Sequence, residues 1–137
     1  MEKPKVLVLG TGGTVSQRMG KDGVFRPADK PYIQKVPDLG ELAEVIFEQL
    51  ANIDSTNMTT EQRVQIAQRI FASHSKYDGF VVIHGTDTMA DSASALSFML
   101  QDLGKPIVFT GAQKSIHVPD SDAPHNIYRS VRAATSD

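Results

Sequence analysis

Residues 10–17 read GTGGTVSQ, three glycines and two threonines directly after the apolar run VLVL. Residues 84–88 read HGTDT, again directly after an apolar run, FVVI. A hydroxyl is a poor nucleophile until a neighbouring group takes its proton. Thr14 sits just past the glycine turn, on backbone that bends sharply and can be approached closely. Thr86 places a second hydroxyl beside the carboxylate of Asp87, a group that can hold a basic side chain or a substrate ammonium. Each residue also has a purely structural reading. Thr11, Thr14 and Thr86 can satisfy turn amides, Asp87 can cap a helix starting at Met89, and His84 can be a hydrogen-bonded histidine at a buried strand end.

A glycine-rich turn after a strand also raises the question of phosphate. The dinucleotide fingerprint fails, because Gly10 and Gly12 are followed by Val15 at the third position and residues 16–31 read as loop rather than helix. The P-loop pattern fails as well, since Gly20–Lys21 is followed by Asp22. Without a helix behind the turn, the row of amides and the dipole that hold phosphate are missing. The motif therefore reads as a turn that presents a threonine.

Composition narrows the classes further. The 137 residues suffice for one domain with a core. Lys+Arg 14 against Asp+Glu 16 leaves a net charge of -2, which points away from nucleic acid and from anionic membrane surfaces. With no cysteine, the chain has no disulfide, thiolate metal site or Cys nucleophile. His117 and His125 flank an acidic loop with Asp120 and Asp122, a weak metal pattern better read as solvated charge. The N-terminal apolar run is too short for a signal peptide or a membrane span, so the expected location is cytoplasmic.

The elements that must carry these motifs alternate strand and helix. Val6–Leu9 reads as a buried parallel strand. Residues 16–32 show no helical period and read as a long binding loop or lid. Residues 37–50, PDLGELAEVIFEQL, read as a helix with Asp38 and Glu41 as a capping box, and residues 51–57 as a short strand and turn. Residues 59–74 read as a helix capped by Thr59 and Gln62, with Val64, Ala67, Ile70 and Phe71 as its apolar face. Then come the strand GFVVI, a helix from Met89 ending near Gly104, the strand PIVFT, and a last helix from His125. This order predicts an α/β fold, a three-layer parallel sheet with helices on both faces. Ligands in such sheets bind beyond the carboxyl ends of the strands. The loops at 10–14, 54–56, 84–88 and 110–113 are therefore expected to meet.

GTGGTVSQ resembles the T-G-G-T-[IV] motif of bacterial-type L-asparaginases and glutaminase-asparaginases, and VVIHGTDTMADSASALSFML resembles their H-G-T-D-T signature. PIVFTGAQ and SDAPHNIYRSV are similar to the segments that follow. The two signatures in order are very specific. The resemblance spans nearly all of residues 1–137 but only the N-terminal, Rossmann- or flavodoxin-like domain of the family, without its C-terminal domain. It implies hydrolysis of the side-chain amide of L-asparagine, with L-glutamine as a second candidate, through a threonine nucleophile and without metal or cofactor. Carried over position by position, it implies Thr14 as nucleophile and Thr86 with Asp87 as the second catalytic pair. It implies Ser55 and Thr56 as substrate anchors, Gly85 as a backbone contact and Ala112 at the substrate's edge.

The chain departs from that pattern twice. The lid tyrosine of the family has no counterpart in GKDGVFRPA, where Val24 or Phe25 stands, and Tyr32 is out of register. The lysine that pairs with the family's second threonine lies beyond the stretch covered here, and Lys114 does not match it. The expectations that follow are a fragment or split subunit that self-associates or joins a missing C-terminal portion, or a catalytically incomplete domain that binds amino acids or assembles with other subunits. The related archaeal amidotransferase subunit acting on glutaminyl-tRNA is expected to be the weaker resemblance.

Overall fold

The computed structural model describes residues 2–27 and 32–136. Strand β1 (Lys5–Gly12) is central, flanked by β4 (Glu44–Ile53) on one side and by β5 (Gly79–Ile83) and then β6 (Ile107–Thr110) on the other. Every pairing in this four-stranded sheet is parallel. Because successive side chains of a strand point to opposite faces, β1 supplies Val6 and Val8 to one core and Leu7 and Leu9 to the other. Strand β5 does the same with Val81 and Ile83 against Phe80 and Val82. Both strands are apolar throughout because both faces are covered.

The first core is closed by α1 (Leu39–Leu42) and α4 (Ala123–Ala134), through Leu39, Ile127 and Val131. The second is closed by α2 (Thr60–Ser73) and α3 (Met89–Met99), through Ile66, Ile70 and Leu96. The expected three-layer α/β architecture is therefore present. No helix among the described residues is long and apolar enough to cross a membrane.

Three local readings change. Residues 37–50 are not one helix: a four-residue α1 ends at Leu42 and the edge strand β4 follows. Asp38 makes no capping bond and has φ 60. Val45 and Phe47 pack on the first core while Ile46, Leu50 and Ile53 pack on the second, so the apolar spacing that imitates a helix serves a strand covered on both faces. Residues 51–53 complete β4 rather than forming a separate strand. The expected loop at 16–32 contains an antiparallel hairpin, β2 (Gln17–Met19) with β3 (Phe25–Pro27), closed near its tip by Arg26 on Asp22 at 2.6 Å. The part of that loop at 28–31 lies outside the described residues.

The capping box of α2 is present, Thr59 and Gln62 bonding each other's backbone amides. Its buried face uses Ile66 with Ala67 and Ile70, whereas Val64 and Phe71 are exposed. Helix α4 begins at Ala123, two residues before the expected start, with Pro124 in its first turn.

Candidate active site

The chain goes from β1 out to β4 and returns to β5 on the other side of β1. The carboxyl end of β1 is thus the point where strand order reverses, the place where open α/β sheets leave a crevice. A cavity of about 390 Å³ lies there. The end of β1 gives it Gly13, Thr14 and Gln17; the end of β4 gives Asn52, Ile53, Asp54 and Ser55; the end of β5 gives Gly85, Thr86 and Asp87; and Gln113 reaches in after β6.

Close backbone contact brings these loops together. Gly13 has φ 83 and ψ -176, a conformation open essentially to glycine alone. A Cβ on it would fall 2.6 Å from the Cα of Gly85. A Cβ on Gly85 would in turn fall 2.6 Å from Ser55 Oγ. The β1, β5 and β4 ends are therefore stacked through positions that tolerate no side chain. Thr11 is not a site residue: it is buried, and its hydroxyl donates to Ile83 O at 2.8 Å, tying β1 to β5. Thr14 is half-buried at the start of a single 3-10 turn, Thr14–Ser16. No α-helix begins behind the glycine turn.

The other walls are held by hydrogen bonds. Thr88 donates its hydroxyl to Ser55 O at 2.7 Å, linking the β5 and β4 ends. Asp54 accepts from the Thr56 amide at 3.0 Å and from the Thr56 hydroxyl at 2.8 Å. These bonds hold the Asp54 carboxyl below the usual carboxylate range, the amide contributing most. Asp122 accepts from the amides of Gln113 and Lys114, both at 2.9 Å, and from Asn126 at 3.2 Å. These bonds likewise lower its pKa, the Gln113 amide first. Gln113 then donates to Thr86 Oγ1 at 3.4 Å. On the far side, Ile116 donates its amide to Val15 O at 3.0 Å and Ser115 bonds to Gln17 O, bracing the hairpin.

Of the site residues expected from sequence, Thr14, Ser55, Gly85, Thr86 and Asp87 line the one cavity. Thr56 and Ala112 do not. The Thr56 hydroxyl is turned onto Asp54, and Ala112 is buried in the first core. Asp87 does not cap α3, whose N-cap is Thr88. Tyr32 is buried against Phe47 with ring centroids 5.2 Å apart, away from the cavity lining. Asn52 and Ile53 are hidden in the sequence because that stretch reads as a strand of its own, whereas Asp54 stands in the 54–56 loop expected to reach the site. Gln17 and Gln113 stand inside the quoted motifs, but nothing in their residue type sets them apart.

Among the described residues, the cavity wall carries two carboxylates, Asp54 and Asp87, and no lysine or arginine. It suits a small zwitterion whose ammonium meets a carboxylate and whose own carboxylate meets hydroxyls and amides. No group of three or more metal-ligating side chains occurs among the described residues. A second cavity of the same volume lies between α3 and β6, lined largely by apolar residues such as Leu96, Leu100 and Phe109, and offers no comparable chemistry.

A family model for the N-terminal domain of asparaginase matches residues 5–137. A glutamyl-tRNA(Gln) amidotransferase subunit of Pyrococcus horikoshii is 44% identical over 138 residues, covering 98% of this chain and 32% of that protein. L-asparaginase 1 of Escherichia coli is 37% identical over 142 residues, covering 99% of this chain and 42% of that protein. Among solved structures, L-asparaginase I of Vibrio cholerae superposes with a TM-score of 0.88 at 33% identity, covering 98% of this chain and 42% of that one. The thermostable L-asparaginase of Thermococcus kodakarensis superposes at 0.82 and 36% identity, covering 95% and 40%. The chain thus spans about a third to two-fifths of the length of these relatives. The amidotransferase protein, expected to be the weaker resemblance, is the more identical of the two relatives matched by sequence above.

Proposed function

The chain belongs to the asparaginase family, matching its N-terminal domain, and on that premise we propose that it carries the nucleophile half of an amidohydrolase site for L-asparagine. The observation that supports this most is the convergence of Thr14, Ser55, Thr86 and Asp87 on one polar cavity from three strand ends. In this reading Thr14 Oγ attacks the side-chain amide carbon. The hydroxyl proton is transferred to the amide nitrogen, the tetrahedral oxyanion collapses to an acyl ester on Thr14, and the C–N bond breaks to release ammonia. Water then cleaves the ester and releases aspartate.

Asp54 has an oxygen committed to Thr56. Asp87 accepts no hydrogen bond among the described residues, which leaves its carboxylate open to a substrate ammonium. Ser55 and neighbouring amides would receive the substrate's α-carboxylate. The relatives matched by sequence are two to three times this length, and the full cycle is proposed by likeness to them. Ammonia release from L-asparagine, with the intact chain and with Thr14→Ala, tests the assignment. Activity in the first and its loss by about 10³-fold or more in the second are expected for removal of a nucleophile. Equal release by both proteins would remove Thr14 from the mechanism.

A second reading has a specific observation behind it, the 44% identity to an amidotransferase protein. Here the chain binds an amino acid and assembles with other subunits without turning it over alone. Calorimetric binding of L-aspartate with no ammonia release would favour this reading over the first.

A further inference from the structure

His84 is fully buried at the end of β5 and is left unused by the reaction above. Its Nδ1 lies 2.7 Å from Gly85 O and its Nε2 lies 2.9 Å from Ser92 Oγ on α3. Arg63, on α2, donates its Nε–H to the same Ser92 Oγ at 3.0 Å. With the ring neutral, these bonds have one consistent direction. A carbonyl oxygen accepts, so Nδ1 carries the imidazole proton. A guanidinium donates, so Ser92 Oγ accepts from Arg63 and spends its single proton on His84 Nε2. The run is Arg63 to Ser92 to His84 to Gly85 O, and it links α2, α3 and the cavity wall.

We propose that Arg63, Ser92 and His84 are positioning residues that set the orientation of the Gly85–Thr86 peptide in the candidate site. A trans peptide points its C=O and N–H in opposite directions. With the Gly85 carbonyl drawn back to the His84 ring, the Thr86 N–H is turned to the other side of the loop. Among the described residues that N–H donates to no protein acceptor. Gly85 and Thr86 both line the cavity, so the freed donor and the Thr86 hydroxyl are presented together. Burial of the ring first, and then the neighbouring Arg63 charge, lower the His84 pKa and so favour the neutral form. A charged ring would turn Nε2 into a second donor to Ser92 Oγ and leave the serine proton without an acceptor among the described residues.

The inference rests on the proposed amidohydrolase reading for its kinetic consequence but not for its geometry, so two kinds of readout test it. In the first, nitrogen NMR of the full chain is expected to show His84 as the neutral Nδ1–H tautomer. The Thr86 amide resonance should shift in His84→Ala and return towards the wild-type position in His84→Asn, because an asparagine amide nitrogen can replace Nδ1 as donor to Gly85 O. An Nε2–H tautomer, or a Thr86 resonance moved equally by both variants, would overturn the proposal whether or not the protein turns over asparagine. In the second, His84→Ala is expected to lower kcat by about 10- to 100-fold with KM changed less than about threefold, a smaller loss than the 10²–10³ of deleting an oxyanion donor outright. His84→Asn should recover most of it and Ser92→Ala should fall between. An unchanged kcat in His84→Ala with active wild type, or a loss confined to KM, would overturn the proposal. No ammonia release by wild type would instead count against the reaction, and the NMR result would still decide the geometry.

Discussion

The two threonines that face the cavity are held in place by opposite means. Thr14 follows a turn fixed by the absence of side chains: Gly13 stacks its backbone on Gly85, and no side-chain bond to the Thr14 hydroxyl exists among the described residues. Thr86 sits in a loop fixed by side chains, with His84, Ser92, Arg63 and Thr88 bonding around it and Gln113 reaching its hydroxyl. Steric fixing is all or none, since a Cβ either fits or does not. Polar fixing is divisible, because each bond can be removed alone at about 0.5–1.5 kcal/mol. Substitutions on the two sides should therefore fail differently.

The largest effect is expected on the glycine side. Gly13→Ala forces a residue with Cβ into a glycine-only conformation and drives that atom to 2.6 Å from Gly85 Cα. Backbone strain and overpacking each cost about 1–3 kcal/mol, so a loss of roughly 2–6 kcal/mol is expected. Gly104→Ala is the control: its φ is 66 but nothing lies within 4 Å of the added carbon. It should lose only about 1–2 kcal/mol from left-handed strain. Urea midpoints measure both. Similar midpoints for the two variants would mean that the Gly13–Gly85 contact does not hold the turn.

On the polar side Ser92→Ala comes next. It strips a partner from His84 and from Arg63 at once, leaving a buried ring nitrogen unsatisfied. That costs about 1–3 kcal/mol. Thr88→Val removes one of the two bonds to Ser55 O, leaving that from the Met58 amide, and should cost about 0.5–1.5 kcal/mol. Its sharper signature is loss of amide protection at Ser55–Asn57 with α2 unaffected. Uniform loss of protection across the sheet would show that the bond serves global stability rather than the junction of the β4 and β5 ends.

The same contrast explains what the sequence could reveal. The continuous apolar runs of β1 and β5, the Thr59–Gln62 box and the two threonine motifs are local patterns, and each appears in the fold where its spacing places it. The convergence of strand ends follows from topology alone. Strand β4 reads as helix because Glu44, Glu48 and Gln49 favour helix locally, while the deciding contacts, β1 pairing and Arg69 on Glu48 at 2.6 Å, come from elsewhere in the chain. Thr56 misleads for a related reason: its bond to Asp54 two residues back is a local turn device indistinguishable in sequence from a ligand-facing hydroxyl. Gln113 enters the wall from a loop and Asn52 from the end of β4, and neither residue type announces that place.

The smallest effect separates the two sides by acidity. Each carries a histidine with a lowered pKa. His84 is depressed by burial first and then by Arg63, against the raising influence of its bond to Gly85 O. His117, beside the hairpin that follows Thr14, is depressed by burial first and then by Arg18 and Lys35. For a group whose folded pKa lies below its unfolded value of about 6.5, the unfolded chain binds more protons in the window between them. Stability from both histidines is thus complete above about pH 7 and declines as pH falls through the folded values. Asp54 and Asp122, also depressed, act only in a lower window, below about pH 4. Urea midpoints should therefore fall modestly between pH 7 and pH 5. His84→Asn and His117→Asn should each flatten part of that slope. They should differ in their cost at pH 7. His84 loses an acceptor that Ser92 uses, whereas both buried nitrogens of His117 are without partners among the described residues. His117→Asn should then be the milder change at neutral pH, although it too removes part of the acid sensitivity. A flat midpoint from pH 7 to pH 5 in the wild type would break the argument on both sides. A slope abolished by His84→Asn alone would place the acid response wholly at the Thr86 end.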